Sequence, residues 1–248
     1  MNHVFKMLYH CEDDHHNHQH GHEHIAPIPT NANQSLYQYL DTSNIRCLNV
    51  EPRGRVDKLY KAFVKTQDNK YNCLSYLQSD SDDQMIVHVP LTANCKIYSI
   101  ILRTNGNDPD NELNSPKTIK LFKNFTKNVD FDTLNDSKED IKLTHPENVG
   151  INVDGSTTLN EDDNTFVEHY LPRHLFQNCS ALTIYIENNW SGDEDELSRL
   201  FYLEIRGEFT GTLVSDNIVP LMTVYESAPN PVDHNKLESE NNDINIGM

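Results

Sequence analysis

The feature that most constrains this chain is a series of short apolar, β-branched and aromatic runs, each closed by Gly, Pro, Asn or Asp. Six stand out, at 85–89, 96–102, 118–122, 182–186, 201–205 and 218–224. In the fourth, Leu182, Ile184 and Ile186 point one way while Thr183 and Tyr185 point the other, and Phe201, Leu203 and Ile205 repeat the pattern. A period of two predicts strands with one buried face and one wet face. No stretch shows the sustained 3.6-residue period of covering helices, so two sheets must cover each other. The expected fold is all-β, a jelly-roll β-sandwich.

Composition sets the limits of that domain. Eight of the thirteen histidines fall within the first 24 residues, beside Glu12, Asp13 and Asp14, with almost no apolar spacing. Such a segment cannot offset its ordering entropy. After Pro27 and Pro29, apolar residues recur from Leu36 through Tyr37, Leu40, Ile45 and Leu48. This predicts a disordered His-rich tail over 1–33, one domain over 34–234 and a disordered tail over 235–248. Between about 133 and 164, Asp136, Glu139, Asp140, Glu161, Asp162 and Asp163 outweigh the apolar residues, which reads as a polar acidic surface insertion.

A formal charge of −18 argues against a phosphate-backbone partner and against an anionic membrane surface. No apolar run approaches the roughly 20 residues of a spanning helix, and the start of the chain lacks the core of a signal peptide. The expected location is the cytoplasm, with the nucleus as a further one. In that setting the five Asn-x-Ser/Thr triplets are chance occurrences in an Asn-rich chain. Cys11, Cys47, Cys73, Cys95 and Cys179 are odd in number and lack C-x-x-C spacing, which suits reduced thiols, the last four packed as small hydrophobes.

Several clusters invite chemical readings. The run His15, His16, His18, His20, His22 and His24 supplies enough imidazole to gather metal adventitiously, yet it has neither fixed spacing nor a second shell, so a solvated spacer is the reading and no metal site is assigned. Asp80, Asp82 and Asp83 lack the spaced oxygens, Gly and terminal Glu of a calcium loop, so they read as turn-capping carboxylates. Ser, His and Asp are scattered without a nucleophile elbow, and nine glycines form no phosphate loop. No catalytic residue and no cofactor is assigned. Asp233-His234 reads as a terminal clamp rather than an acid–base pair. Trp190 lies at a loop end, where it either anchors an interface or caps the core.

Several separated blocks carry a resemblance. They are Leu36-Tyr37 with Asp41, Ile45 and Cys47-Leu48-Asn49; Leu77-Gln78-Ser79-Asp80-Ser81-Asp82-Asp83-Gln84; Val89-Pro90-Leu91-Thr92-Ala93-Asn94-Cys95; and Leu121-Phe122-Lys123-Asn124 with Phe131-Asp132. Closing blocks follow at Phe201-Tyr202-Leu203-Glu204-Ile205-Arg206-Gly207-Glu208 and at Tyr225-Glu226-Ser227-Ala228-Pro229-Asn230-Pro231-Val232-Asp233-His234. In order and spacing these resemble the PITH family, from about Leu36 to His234. The His-rich leader is similar to that of stand-alone members without a thioredoxin domain. The resemblance implies a jelly roll related to galactose-binding-like domains and docking on the proteasome's regulatory particle. It marks Asp80, Asp82, Arg206, Gly207, Tyr225, Glu226, Asn230, Pro231, Asp233 and His234 as interaction candidates. The expected function is a non-enzymatic protein-interaction module, a proteasome-associated adaptor or regulator. The alternative is a glycan- or small-molecule-binding sandwich, supported by fold analogy alone.

Overall fold

In the computed structural model, which describes residues 29–153 and 158–214, strands dominate. They are β1 (Arg46–Leu48), β2 (Val50–Arg53), β3 (Tyr76–Ser79), β4 (Met85–Thr104), β5 (Pro116–Lys123), β6 (Ile141–Thr144), β7 (Phe166–Tyr170), β8 (Cys179–Asn189) and β9 (Arg199–Leu213), all joined by antiparallel ladders. One α-helix, α1 (Phe131–Asp136), joins β5 to β6 among the described residues, and none is long and apolar enough to cross a membrane.

β4 organises the sandwich by serving both sheets. Its first part pairs with β1 and with β8, Met85 opposite Ile186 and Pro90 opposite Ala181. Its second part pairs with β9 and β7, Ile100 lying opposite both Ile205 and His169. One layer is therefore β1-β4-β8-β5-β6 and the other β2-β3-β9-β4-β7. Met85, Val87, Val89, Ile119, Leu121, Leu182, Ile184 and Ile186 of the first layer share one buried cluster with Leu77, Ile100, Leu102, Leu200, Leu203 and Ile205 of the second. Each such side chain contributes about 1.5–3 kcal/mol by leaving water. This is the all-β sandwich that the alternating runs imply.

The structure corrects several details. Residues 85–89 and 96–102 are not two strands but parts of β4, which continues through Pro90. The ladder to β8 is irregular between Pro90 and Cys95, where a residue without an N–H disrupts least. β1, β2, β3, β6 and β7 are short strands that the six runs did not include. Thr183 and Tyr185 are not wet: both are 0% exposed. Tyr185 packs with Ile86, Phe122 and Leu134 under Phe125, Val129 and Phe131, so the α1 segment covers the outer face of β8. Asp130 caps that helix by accepting from the Thr133 N–H at 2.7 Å. Phe201 does not share the face of Leu203 and Ile205. Arg103 lies opposite Tyr202 and Thr104 opposite Leu200, so Phe201 is the extra residue of a bulge and turns into a separate cluster with Cys73 and Ile151.

The acidic stretch 133–164 is not a surface insertion throughout. It holds β6, and Leu134, Leu143, His145, Val149 and Ile151 are buried. A few apolar residues at strand spacing suffice once β5 supplies the partner ladder, Ile119 opposite Leu143. Ordered contacts begin ahead of residue 34, because Thr30 hydrogen-bonds to Glu168 and Arg206. The run at 218–224 lies outside the described residues.

Candidate interaction surface

Three loops meet at one pole of the sandwich, where β3 hands over to β4, β4 leaves toward β5, and β8 returns as β9. Residues 79–84 carry Asp80, Asp82 and Asp83; residues 105–115 carry Asp108, Asp110 and Glu112; residues 190–198 carry Asp193, Glu194, Asp195 and Glu196. None of the three contains Lys, Arg or His. Asp80, Asp110, Glu112, Asp193, Glu194 and Asp195 are exposed.

Buried amides hold these loops together. Asn189, 1% exposed, donates its backbone N–H to Asp83 at 2.8 Å and its side-chain Nδ2 to the carbonyls of Asp193 (2.7 Å) and Glu196 (2.9 Å). Asn114 donates Nδ2 to Glu196 at 2.8 Å, and the Leu197 N–H donates to the Glu112 carbonyl at 2.8 Å. The carboxylates thus stand on a braced platform rather than on free loops. Burial raises the Asp83 carboxyl to about 6, with the charges of Asp82 and Glu194 adding to the effect.

The motif residues have distinct tasks. Asn49 sits in the left-handed region at φ 52°, which asparagine tolerates, and donates Nδ2 to Asp82 Oδ1 and to the Gln84 carbonyl, both at 2.6 Å. Its Oδ1 accepts from the Ser81 N–H, and Asp82 Oδ1 also accepts from the Gln84 N–H. Asp82 is therefore a turn brace, as capping predicts, while Asp80 projects into solvent at the same pole. Asn124 repeats the device after β5: at φ 49° its Oδ1 accepts from the N–H groups of Ser180 and Ala181. Sequence reasoning quoted both asparagines within motifs but missed their function. Their signal was an Asn directly after an apolar strand pattern, where a left-handed residue ends the strand.

Arg206 and Gly207 lie away from the acidic pole, on β9. Arg206 donates Nε to Glu204 at 2.9 Å and one terminal nitrogen to Thr30 Oγ1 at 3.2 Å, with Glu168 at 3.9 Å. Thr30, Ser99 and Tyr170 donate hydroxyls to Glu168, and Tyr202 donates to Glu204 at 3.0 Å. Burial and the Glu168 charge push the Tyr170 phenol up to about 12, and burial and the Glu204 charge raise Tyr202. With these donors engaged, the two carboxylates form a clasp that ties residue 30 to β4, β7 and β9. Gly207 is needed because a Cβ there would lie 2.0 Å from the Lys96 carbonyl oxygen, next to the bulge at Tyr98.

Trp190 caps rather than projects: its indole N–H donates to the His145 carbonyl at 2.9 Å, and the Lys117 ammonium sits 4.8 Å from its ring centre. Cys73, Cys95 and Cys179 are buried and Cys47 is half-buried, all as free thiols. Inside the sandwich, His145 Nε2 lies 3.1 Å from Thr104 Oγ1 and His145 Nδ1 lies 3.0 Å from His169 Nε2. This chain has the look of a nucleophile and base, yet Thr104 and His145 are 0% and His169 2% exposed, so in the folded structure it lies closed off from the surface. Among the described residues no group of three or more His, Cys, Asp or Glu is placed to hold a metal. The His15–24 run and Tyr225, Glu226, Asn230, Pro231, Asp233 and His234 lie outside the described residues.

The chain is 29% identical over 206 residues to PITH domain-containing protein GA19395 of Drosophila pseudoobscura pseudoobscura, covering 81% of this chain and 80% of that one. It is 28% identical over 228 residues to PITH domain-containing protein 1 of Dictyostelium discoideum, covering 92% and 94%. Among solved structures, the family 32 carbohydrate-binding module from Streptococcus pneumoniae EndoD aligns with 68% of this chain and 99% of its own, at 9% identity and a TM-score of 0.38. The PITH domain model matches residues 26–229, spanning both layers of the sandwich, the braced turn and the clasp, and the chain belongs to the PITH domain family.

Proposed function

We propose that this chain is a protein-interaction module without chemistry of its own, an adaptor that docks on the regulatory particle of the proteasome in the cytoplasm and nucleus. The observation that carries the reading is the acidic pole, where ten carboxylates on three interlocked loops stand without one cation of those loops among them. Such a surface steers association toward a basic patch and discriminates against acidic ones. Loops on a rigid scaffold are where a sandwich places recognition. Membership of the PITH family, whose resemblance implied this partner, supports the choice. The enclosure of the Thr104–His145–His169 chain supports binding over catalysis. The glycan alternative gains nothing from Trp190, whose ring is engaged by Lys117 and whose N–H is already bonded.

The test is affinity capture from cytosol at near-physiological salt with ATP present, comparing the intact chain with a variant carrying Asp193→Asn, Glu194→Gln and Asp195→Asn. Regulatory-particle subunits should be retained by the intact chain and lost from the variant, and from the intact chain at raised salt. Absence of those subunits from the intact-chain capture sinks the adaptor reading; saturable binding to a glycan array in the same preparation installs the alternative.

A further inference from the structure

At the opposite pole, where β8 begins and β9 ends, lies a pair of cysteines that the interaction surface does not use. Cys95 of β4 and Cys179 of β8 are directly opposite each other in the antiparallel ladder, and both side chains are 0% exposed within the same core cluster. Residues directly opposite in such a ladder point to the same face with Cα atoms about 4.5–5.5 Å apart. That spacing falls within the roughly 4.4–6.8 Å range of disulfide-bonded cysteines. We propose that Cys95 and Cys179 form a reversible, peroxide-driven disulfide that staples the shared strand β4 to β8.

In the closed state the pair is silent. The Cys179 thiol donates to the Ala181 carbonyl at 3.1 Å and the Cys95 thiol leans toward the Ala93 carbonyl at 3.6 Å, each along its own strand. Burial pushes Cys179 up to about 12 and Cys95 up to about 11, so neither offers the thiolate that an oxidant needs. Reaction requires local opening, and the structure shows where it starts. Cys179 is the first residue of β8, and the ladder is irregular between Pro90 and Cys95, so residues 91–94 have no one-to-one partners there. The start of β8 is held largely by the side chain of Asn124, which binds the Ser180 and Ala181 N–H groups and the Asn178 carbonyl. When that clamp lets go, burial no longer opposes ionisation of Cys179. The nearby Lys123 ammonium, which already favours the thiolate, remains tied to the Leu175 carbonyl at 2.6 Å.

The chemistry balances with hydrogen peroxide as oxidant. The Cys179 thiolate attacks one peroxide oxygen and the O–O bond breaks; after protonation, one water leaves and a sulfenic acid remains on Cys179. The Cys95 thiol then attacks that sulfur, the S–O bond breaks, and a second water departs as the S–S bond forms. Two thiols are oxidised by two electrons and one peroxide is reduced. Small thiols restore the pair by exchange.

The experiment treats the full chain with hydrogen peroxide and maps cysteines by mass spectrometry of a non-reduced digest. A cross-linked peptide pair containing Cys95 and Cys179, lighter by two hydrogens and split by dithiothreitol, is expected. Cys179→Ser and Cys95→Ser should each abolish it, and Cys47→Ser should leave it intact. Asn124→Ala should speed its formation several-fold; should that variant fail to fold, urea below the unfolding transition serves the same purpose on the native sequence. The proposal is overturned by oxidation that stops at sulfinic acid on Cys179, by cross-links that run through Cys47 or Cys73 instead, or by a rate that opening the clamp leaves unchanged.

Discussion

Replacing His169 with glutamine removes one of two imidazoles that the core holds uncharged, and the size of the effect can be worked out from its surroundings. Burial lowers His169 to about 4, against about 6.5 for an exposed histidine. Above pH ~6.5 the ring is neutral folded and unfolded, so it contributes no pH dependence. As pH falls toward ~4 the unfolded chain takes up a proton that the folded chain refuses, and stability is lost. The loss is about 2 kcal/mol at pH ~5 and levels near 3 kcal/mol once both states are charged. His145, lowered by burial and by His169, acts in the same direction. Asp83 acts oppositely: raised to about 6 from 3.8, it gives the folded state a proton first and returns about 1 kcal/mol near pH ~5. The native sequence should therefore show a muted slope, and the gap between it and His169→Gln should isolate the imidazole. Urea unfolding at pH ~7.5 and ~5 reads that gap directly. The variant is expected to be the less stable protein at the higher pH and to recover about 2 kcal/mol relative to the native sequence at the lower. A gap that does not change with pH would falsify the claim that the core excludes the charged ring.

Other substitutions probe the remaining devices. Gly207→Ala drives a methyl group into the Lys96 carbonyl and should destabilise by about 2–3 kcal/mol in urea unfolding; a neutral result means β4 and β9 do not approach as described. Arg206→Ala strands the buried Glu204 carboxylate and should destabilise by about 3 kcal/mol, most of which the added Glu204→Gln change should restore. No rescue would show that packing, not charge, sets the clasp. Asn49→Ala removes the brace of the acidic turn, with an expected loss of about 1–3 kcal/mol. Faster amide exchange confined to residues 80–84 should accompany it, and unchanged exchange there would refute the brace.

That this chain is a sandwich is written into its local pattern. Alternation at Leu182, Ile184 and Ile186 and at Leu203 and Ile205 is a local property, readable without neighbours, and those residues fill the core. The local pattern also determined the acidic character and the turn-capping use of Asp82, because capping is satisfied within a few residues. What it could not decide was set by partners distant along the chain. Tyr185 reads as wet until the α1 segment folds over it, and Phe201 reads as core-facing until a bulge against β4 rotates it away. The burial of Leu143 and Ile151 within the acidic stretch is not legible locally, because it depends on β5 and on Cys73 and Phe201. The acidic pole is assembled from three separate loops, and the clasp from Thr30, Ser99, Glu168, Glu204 and Arg206, residues drawn from four separate segments. Side-chain period encodes which face of a strand turns inward, but not which strand lies opposite; that choice belongs to long-range packing, and only the tertiary structure makes it.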